Sequence, residues 1–205
     1  MFYRKNLPHI QPPGETFFIT YRLAGSLPLS TIEQLKSKYR QAERRLRIQY
    51  PDLEKRACAK YDLQKKYFAE FDEQLDKCLN EPYWLKDEKI AVLVVESLDY
   101  LAKMYFDLWA FCIMPNHVHL LITVFEDAPI LYKILQKHKK HTAWKSNVIL
   151  KRSGKFWTHE SYDHIVCNGQ EFENIVYYIL NNPIKAGFVE NWQDWQWTYL
   201  HPELM

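Results

Sequence analysis

Residues 111–122 read Phe-Cys-Ile-Met-Pro-Asn-His-Val-His-Leu-Leu-Ile, two apolar runs interrupted by a proline and an asparagine. Proline and asparagine favour turns, and the flanking runs are rich in the residue types that favour strands. The pattern therefore predicts two strands, 105–113 and 117–124, joined as an antiparallel hairpin across a turn at 114–116.

The second of these strands begins with the histidine pair His117 and His119. Side chains two residues apart on a strand point to the same face. Both imidazoles can therefore reach one metal ion, while Val118, Leu120 and Ile122 face the core. Two solvent-facing histidines would give the same spacing and are its commoner cause. The position of the pair, directly after a turn and at the start of an apolar strand, favours a metal site.

The last predicted helix carries two tyrosines and two asparagines that could complete such a site. Residues four apart share one face of a helix, so Tyr178 with Asn182, or Tyr177 with Asn181, could present a phenol beside an amide. The spacing leaves both pairs open. Half-buried packing would also explain a tyrosine pair on an amphipathic helix.

The rest of the chain predicts helices around a small sheet. An aromatic and β-branched stretch at 16–23 predicts a third strand. The last helix is expected to end before Pro183, because the residue that precedes a proline is disfavoured in the α region. Three or four strands with flanking helices indicate an α+β fold with a central antiparallel sheet, not a parallel βαβ fold. The predicted helices cover residues 31–50, 53–79, 88–102, 129–148 and 169–181.

Composition excludes several classes of protein. The 205 residues are 47% hydrophobic and 25% charged with 5 glycines, which excludes intrinsic disorder, collagen-like repeats and a disulfide scaffold. The longest apolar run, Leu108 to Met114, is 7 residues, far short of a membrane span, and the first residues do not form a signal peptide. We therefore expect a cytoplasmic protein whose cysteines are reduced and structural. These are Cys58, Cys78, Cys112 and Cys167.

The net charge of +2 conceals a strongly basic segment. Residues 128–159 contain eight lysines and arginines and no acidic residue. Such a run favours polyanions, and the interleaved Tyr132, Trp144, Phe156 and Trp157 could stack on unpaired bases. We expect single-stranded or hairpin nucleic acid as the partner and no membrane; a solvated helix face is the alternative. The candidate DNA-binding residues are Lys133, Lys137, Lys139, Lys140, Lys145, Lys151, Arg152 and Lys155.

Two motifs resemble one known family. Residues 111–122 resemble the metal-site strand of the REP-associated tyrosine transposases, which are chromosomal relatives of single-tyrosine insertion-sequence transposases within the HUH endonuclease group. Residues 178–189, Tyr-Ile-Leu-Asn-Asn-Pro-Ile-Lys-Ala-Gly-Phe-Val, are similar to the catalytic-helix motif of that family. The resemblance extends from about Gly14 to Tyr199.

The resemblance implies a ferredoxin-like HUH nuclease core within a single transposase-like domain, 1–205. One departure is size. Residues 31–89 place much more helix after the first strand than compact members have, which predicts a helical insert at about 30–90.

The resemblance also implies a function and a site. His117, His119 and Asn182 would be ligands of Mg²⁺ or Mn²⁺, and Tyr178, not Tyr177, would be the nucleophile. The implied enzyme is a metal-dependent single-stranded DNA endonuclease and strand transferase that acts at hairpin or palindromic repeat DNA through a covalent 5′-phosphotyrosine. It needs no nucleotide cofactor. The repeat-associated branch favours a monomer, and a dimer is the alternative.

Two other functions compete with this interpretation. A catalytically silent DNA-binding regulator, derived from a transposase, would keep the basic helix and be indifferent to Tyr178. An unrelated metal hydrolase could use the two histidines with a carboxylate such as Asp99 or Asp163, and would form no covalent adduct.

Overall fold

The computed structural model describes residues 2–4, 8–10, 12–77 and 81–205. It divides the chain into two compact units, residues 1–24 with 82–205, and residues 25–81. Cys78 and the end of the helix predicted at 53–79 lie outside the described residues. Cys112 is buried, as expected of a structural cysteine, whereas Cys58 and Cys167 are exposed.

The first unit is built on a five-stranded antiparallel sheet with the spatial order β6-β3-β5-β4-β7. The predicted hairpin is confirmed as β4 and β5, and the predicted strand at 16–23 is β3. A separate two-stranded hairpin, β1 with β2, precedes the sheet. The strands are β1 (Phe2–Arg4), β2 (Pro8–Ile10), β3 (Thr16–Arg22), β4 (Phe106–Ile113), β5 (His117–Val124), β6 (Tyr162–Ile165) and β7 (Thr198–Leu200).

Five α-helices accompany the strands in the described ranges, and each lies where the sequence predicts one, with ends that differ by a few residues. The α+β fold class is therefore confirmed. The helices are α1 (Leu29–Gln49), α2 (Leu53–Asp76), α3 (Glu88–Tyr105), α4 (Leu131–Ile149) and α5 (Gly169–Lys185). No described helix is both long and apolar enough to cross a membrane.

The two faces of the sheet have different roles. Val118, Leu120 and Ile122 of β5 are fully buried on the face that packs against α3 and α4, as predicted for the core side of this strand. The opposite face carries His119 and contacts α5. Alternation along one central strand thus separates the hydrophobic core from the polar side chains.

The turn before β5 also holds the chain ends that flank the second unit. The Leu23 amide donates to the Asn116 carbonyl at 2.8 Å, and the Leu85 amide donates to the Pro115 carbonyl at 3.2 Å. Both ends are thereby fixed at the turn that leads into the histidine pair.

The expectation of three or four strands was too low: besides the separate pair β1 and β2, it missed β6 and β7 of the sheet. Both strands are short, and β6 has the sequence Tyr-Asp-His-Ile, which lacks a clear apolar alternation. Their pairing comes from neighbours distant in sequence: β6 pairs with β3, and β7 pairs with β4. The tryptophan-rich tail packs against the sheet through β7 and through the Trp195 indole, which donates to the Ile113 carbonyl at 3.0 Å.

The predicted end of the last helix was wrong. α5 continues through Pro183 to Lys185. It closes at Gly187, which has φ of +73°. The Gly187 amide donates to the Ile184 carbonyl at 2.9 Å and the Phe188 amide to the Pro183 carbonyl at 3.0 Å, the pattern of a Schellman motif. The glycine, whose backbone tolerates positive φ, ends the helix, and the proline does not.

The second unit is a pair of long helices. α1 and α2 are antiparallel, because Lys38 pairs with Glu70 and Glu43 pairs with Lys60. The Asp52 carboxylate accepts a hydrogen bond from the Lys55 amide at 2.9 Å and so caps α2. α3 belongs to the first unit.

Candidate active site

The two histidines at the start of β5 point to one place. The Nε2 atoms of His117 and His119 are 2.9 Å apart, and both side chains are buried. Two nitrogens bound at right angles to one ion, each at roughly 2.1 Å, would lie about 3 Å apart. The observed spacing therefore suits two ligands of a single metal ion.

The other nitrogen of each imidazole is engaged by a neighbour. His117 Nδ1 lies 2.6 Å from the Asn116 side-chain oxygen, and His119 Nδ1 lies 2.8 Å from the Thr20 hydroxyl. With Nδ1–H donated to these oxygens, each Nε2 carries the lone pair that can act as a metal ligand. Burial, with a smaller contribution from Lys185, lowers the pKa of His119 to about 3. The imidazole is thus neutral at neutral pH, the form that binds metals.

The tyrosines of α5 have contrasting environments. The Tyr178 ring meets the His119 ring edge to face, with 5.4 Å between ring centres, and meets the Phe18 ring at 5.7 Å. Tyr177 is 69% exposed. Of the two pairs that spacing left open, the pair with Tyr178 is the one at the histidines.

Asn182 lies one turn after Tyr178 on α5 and is almost fully buried. Neither its side-chain oxygen nor its nitrogen has a hydrogen-bond partner among the described residues. A buried amide without partners costs free energy, so it points to a ligand that completes the site. The residue lies inside the helix, not at a fraying end as the predicted boundary implied. Together with the histidine spacing, this orphaned amide fits a divalent ion.

Several residues that sequence reasoning missed support the site. Phe18 stacks on His119 with ring centres 5.8 Å apart, and Thr20 holds the same imidazole. Both occupy alternate positions of β3, so the predicted strand at 16–23 contained the signal, but its partner strand was not known. His164 pairs with Glu171 at 3.1 Å and so ties β6 to the first turn of α5.

The two carboxylates proposed for an unrelated hydrolase are not on the histidine side of the sheet. Asp163 is paired with Ile19 across β6 and β3, and cross-strand partners share a face, so Asp163 lies opposite to Thr20 and His119. Asp99 is an exposed residue of α3, the helix that packs on the core face. The structure does not bring either one to the pair.

The eight candidate DNA-binding residues lie on α4 and the segment that follows it. Six are exposed: Lys133, Lys137, Lys140, Lys145, Lys151 and Lys155. Arg152 instead stacks on the Trp84 ring at 4.0 Å and donates to the Asn147 oxygen at 2.6 Å. Lys139 donates to the Ser161 hydroxyl at 2.7 Å, and burial lowers its pKa to about 7.

A groove of about 770 Å³ runs between α4 and residues 154–163. Lys133, Lys140 and Lys155 line it together with the stacked rings of Tyr132 and His159, whose centres are 6.5 Å apart. Cations beside aromatic rings suit a nucleic acid strand.

Fold and site together define a class of protein. Residues 84–182, just under half of the chain, match the family described as IS200-like transposases. The match confirms, over this part of the chain, the resemblance carried by the two motifs.

Two REP-associated tyrosine transposases are similar to part of this chain. The chain is 28% identical over 108 residues to a REP-associated tyrosine transposase of Haemophilus influenzae and 24% identical over 102 residues to that of Escherichia coli K12, each match covering 48% of this chain. The matches span 61% and 57% of those relatives, which is less than two thirds of their length.

A solved structure of a REP-associated tyrosine transposase bound to a REP hairpin has a TM-score of 0.58 at 15% identity. The comparison covers 95% of this chain and 82% of that one. It shows that the two proteins share a fold.

Proposed function

We propose that this protein is a single-tyrosine transposase-like enzyme that nicks and rejoins single-stranded DNA beside hairpin repeats. The observation that carries the proposal is the contact of Tyr178 with His119, one helical turn from the buried, unpartnered Asn182. A nucleophile candidate and three ligand candidates for one ion thus come from two adjacent elements, β5 and α5.

His117, His119 and Asn182 would hold a divalent ion, Mg²⁺ or Mn²⁺. Two imidazoles with an amide oxygen suit Mn²⁺ and tolerate Mg²⁺. When bound, the ion would polarise the scissile phosphate and offset the charge that develops in the transition state. Asn116 and Thr20 orient the two imidazoles for this task.

Tyr178 supplies the nucleophile. Its phenol oxygen forms a bond to phosphorus as the bond between phosphorus and the 3′ oxygen breaks; the phenol loses its proton and the leaving oxygen gains one as a 3′-hydroxyl. The product is a 5′-phosphotyrosine, which keeps the energy of the broken phosphodiester. Attack by a 3′-hydroxyl on that intermediate reverses the step and joins two strands, so no nucleotide cofactor is needed.

The basic groove would hold the substrate. Its exposed lysines position DNA through phosphates without reading sequence. The relative whose fold matches is bound to a REP hairpin, which supports a hairpin as the partner here. Tyr178 contacts His119 of its own chain, and this supports a monomer as sufficient for the chemistry.

A covalent-trapping assay tests the proposal. Labelled single-stranded hairpin DNA from palindromic repeats of the source genome is incubated with Mn²⁺ or Mg²⁺ and analysed on a denaturing gel. We expect a metal-dependent adduct with the wild type and with Tyr177→Phe, and none with Tyr178→Phe. Hairpin binding without an adduct in the wild type would favour the silent DNA-binding regulator instead.

A further inference from the structure

The helical unit 25–81 carries a positive face of its own. α1 contains six lysines and arginines against two acidic residues, whereas α2 contains five against six. The positive charge of this unit is therefore concentrated on one of its two helices.

Four of the α1 cations form a row. Lys36, Arg40, Arg44 and Arg47 follow one another at intervals of four, four and three residues, which places them on one helix face. At a rise of about 1.5 Å per residue, the row is roughly 16 Å long. A shallow groove of about 600 Å³ follows the first three of these cations along the helix.

The row is available to a ligand. Leu35 is buried and Tyr39 packs on Tyr67 of α2 with ring centres 4.9 Å apart, so the first three cations lie on another side of α1; Arg47 lines a groove with the start of α2. Glu43, the acidic residue nearest the row in sequence, is paired with Lys60 at 2.9 Å. In the part of the chain that the structure describes, no acidic side chain pairs with any of the four cations.

We propose that this α1 row is a second contact for the phosphate backbone of the DNA, separate from the basic segment on α4. The inference rests on the proposed function for its partner. Duplex DNA carries one charge per roughly 1.7 Å of axis, so a row of this length faces several phosphates. One guanidinium group can donate two parallel hydrogen bonds to a phosphate, and three of the four cations are arginines. The compact members that lack such an insert would lack this contact.

The salt dependence of binding tests the α1 row. The full-length triple variant Lys36→Gln, Arg40→Gln, Arg44→Gln keeps good helix formers at one half-buried and two exposed positions, so α1 is expected to remain folded. Its affinity for a hairpin oligonucleotide with single-stranded flanks is measured by fluorescence anisotropy from 50 to 200 mM salt, as is its affinity for an unrelated strand of equal length. The plot of log K against log salt has a negative slope, and each lost phosphate contact makes it less steep by about 0.7 to 0.9. We expect a slope shallower by roughly 2 to 3, and weaker binding to both oligonucleotides.

A matched control removes the same charge from the same unit. Lys38→Gln, Lys65→Gln, Lys66→Gln changes three exposed cations outside the row, of which Lys38 contacts Glu70 and Lys65 contacts the Tyr61 ring. An equal change of slope in both triple variants, or no change in either, would overturn the α1 contact. If the wild type binds the hairpin but forms no covalent adduct, the proposed nicking function is contradicted, and the salt-dependence test of the α1 row still applies. A wild type that binds no DNA overturns both.

Discussion

The phenol ring of Tyr178 stands nearly perpendicular to the imidazole of His119, at an interplanar angle of 78°. Phe18 touches both rings, stacking on the imidazole and meeting the phenol by its edge. Phe18 and His119 belong to neighbouring strands, so the sheet positions the tyrosine as much as its own helix does. Conservative substitutions at the β3 and β5 positions that face α5 are therefore expected to affect the site before they affect the fold.

Asn182→Leu is expected to have opposite effects on stability and on metal binding. Leucine has a similar volume and removes two buried polar atoms that lack partners. We expect the metal-free protein to gain about 1 kcal/mol or more in free energy of unfolding, while the rise in melting temperature caused by Mn²⁺ disappears. Thermal unfolding in EDTA and in Mn²⁺ measures both effects. A variant that is destabilised in EDTA would show that the amide has structural partners.

Thr20→Val is expected to weaken metal binding through His119. The substitution leaves Nδ1 of His119 without its 2.8 Å partner, which typically lowers metal affinity 10- to 100-fold. Thr16→Val is the matched control, because Thr16 is on the same strand and bonds to Thr123 at 2.7 Å, away from the histidines. Titration of Mn²⁺ by calorimetry compares the two variants. Equal affinity in both would mean that Thr20 does not position the imidazole.

His138 is expected to make stability depend on pH. Burial, with smaller effects of Lys139 and His141, lowers its pKa in the folded protein to about 3, against about 6.5 when unfolded. Below pH 6.5 the unfolded chain binds a proton that the folded chain does not, so stability falls by about 1.4 kcal/mol per pH unit, and above pH 7 the effect is absent.

His138→Gln provides the comparison for this pH effect. Its amide can still meet Tyr21 and Ser97, which contact the imidazole at 2.8 and 2.9 Å. Between pH 6.5 and 5 the wild type is expected to lose about 2 kcal/mol more than this variant in urea unfolding. Parallel pH profiles would contradict the prediction.

Two cations of the basic segment are expected to behave differently. Lys140 is exposed in the groove, so Lys140→Gln should make the slope of log K against log salt for hairpin binding less steep by about 0.7 to 0.9. Arg152 is held by Trp84 and Asn147, so Arg152→Gln should lower the melting temperature and leave the slope unchanged. Anisotropy and thermal unfolding of both variants measure this. An unchanged slope for Lys140→Gln would assign that lysine to a solvated face.

Much of the fold could be predicted because its signals are local. The turn at Pro115 and the alternation along β5 predict the hairpin. Apolar residues spaced three and four apart between charged residues predict α1 and α2. The strands β6 and β7 could not be predicted, since a four- or three-residue strand is defined by its partner. The end of α5 was missed for a related reason: Pro183 is tolerated within a helix that the Gly187 motif closes.

Only part of the site could be predicted from the sequence. The histidine pair follows from strand alternation alone, whereas spacing could not choose between Tyr177 and Tyr178. Exposure and ring contacts distinguish the two tyrosines, and these depend on how α5 lies on β5. Thr20 and Phe18 could not be found before the pairing of β3 with β5 was known, because they reach His119 from about a hundred residues away.

The backbone bonds of Leu23 and Leu85 to one turn have a consequence for chain length. The residues on either side of the second unit are held at Asn116 and Pro115, so the sheet closes without regard to what lies between them. Segments of different size can therefore be exchanged between these two bonds while the turn that leads into β5 stays anchored. Evolution can lengthen or shorten the chain here by a helical hairpin and keep the same entry into the sheet.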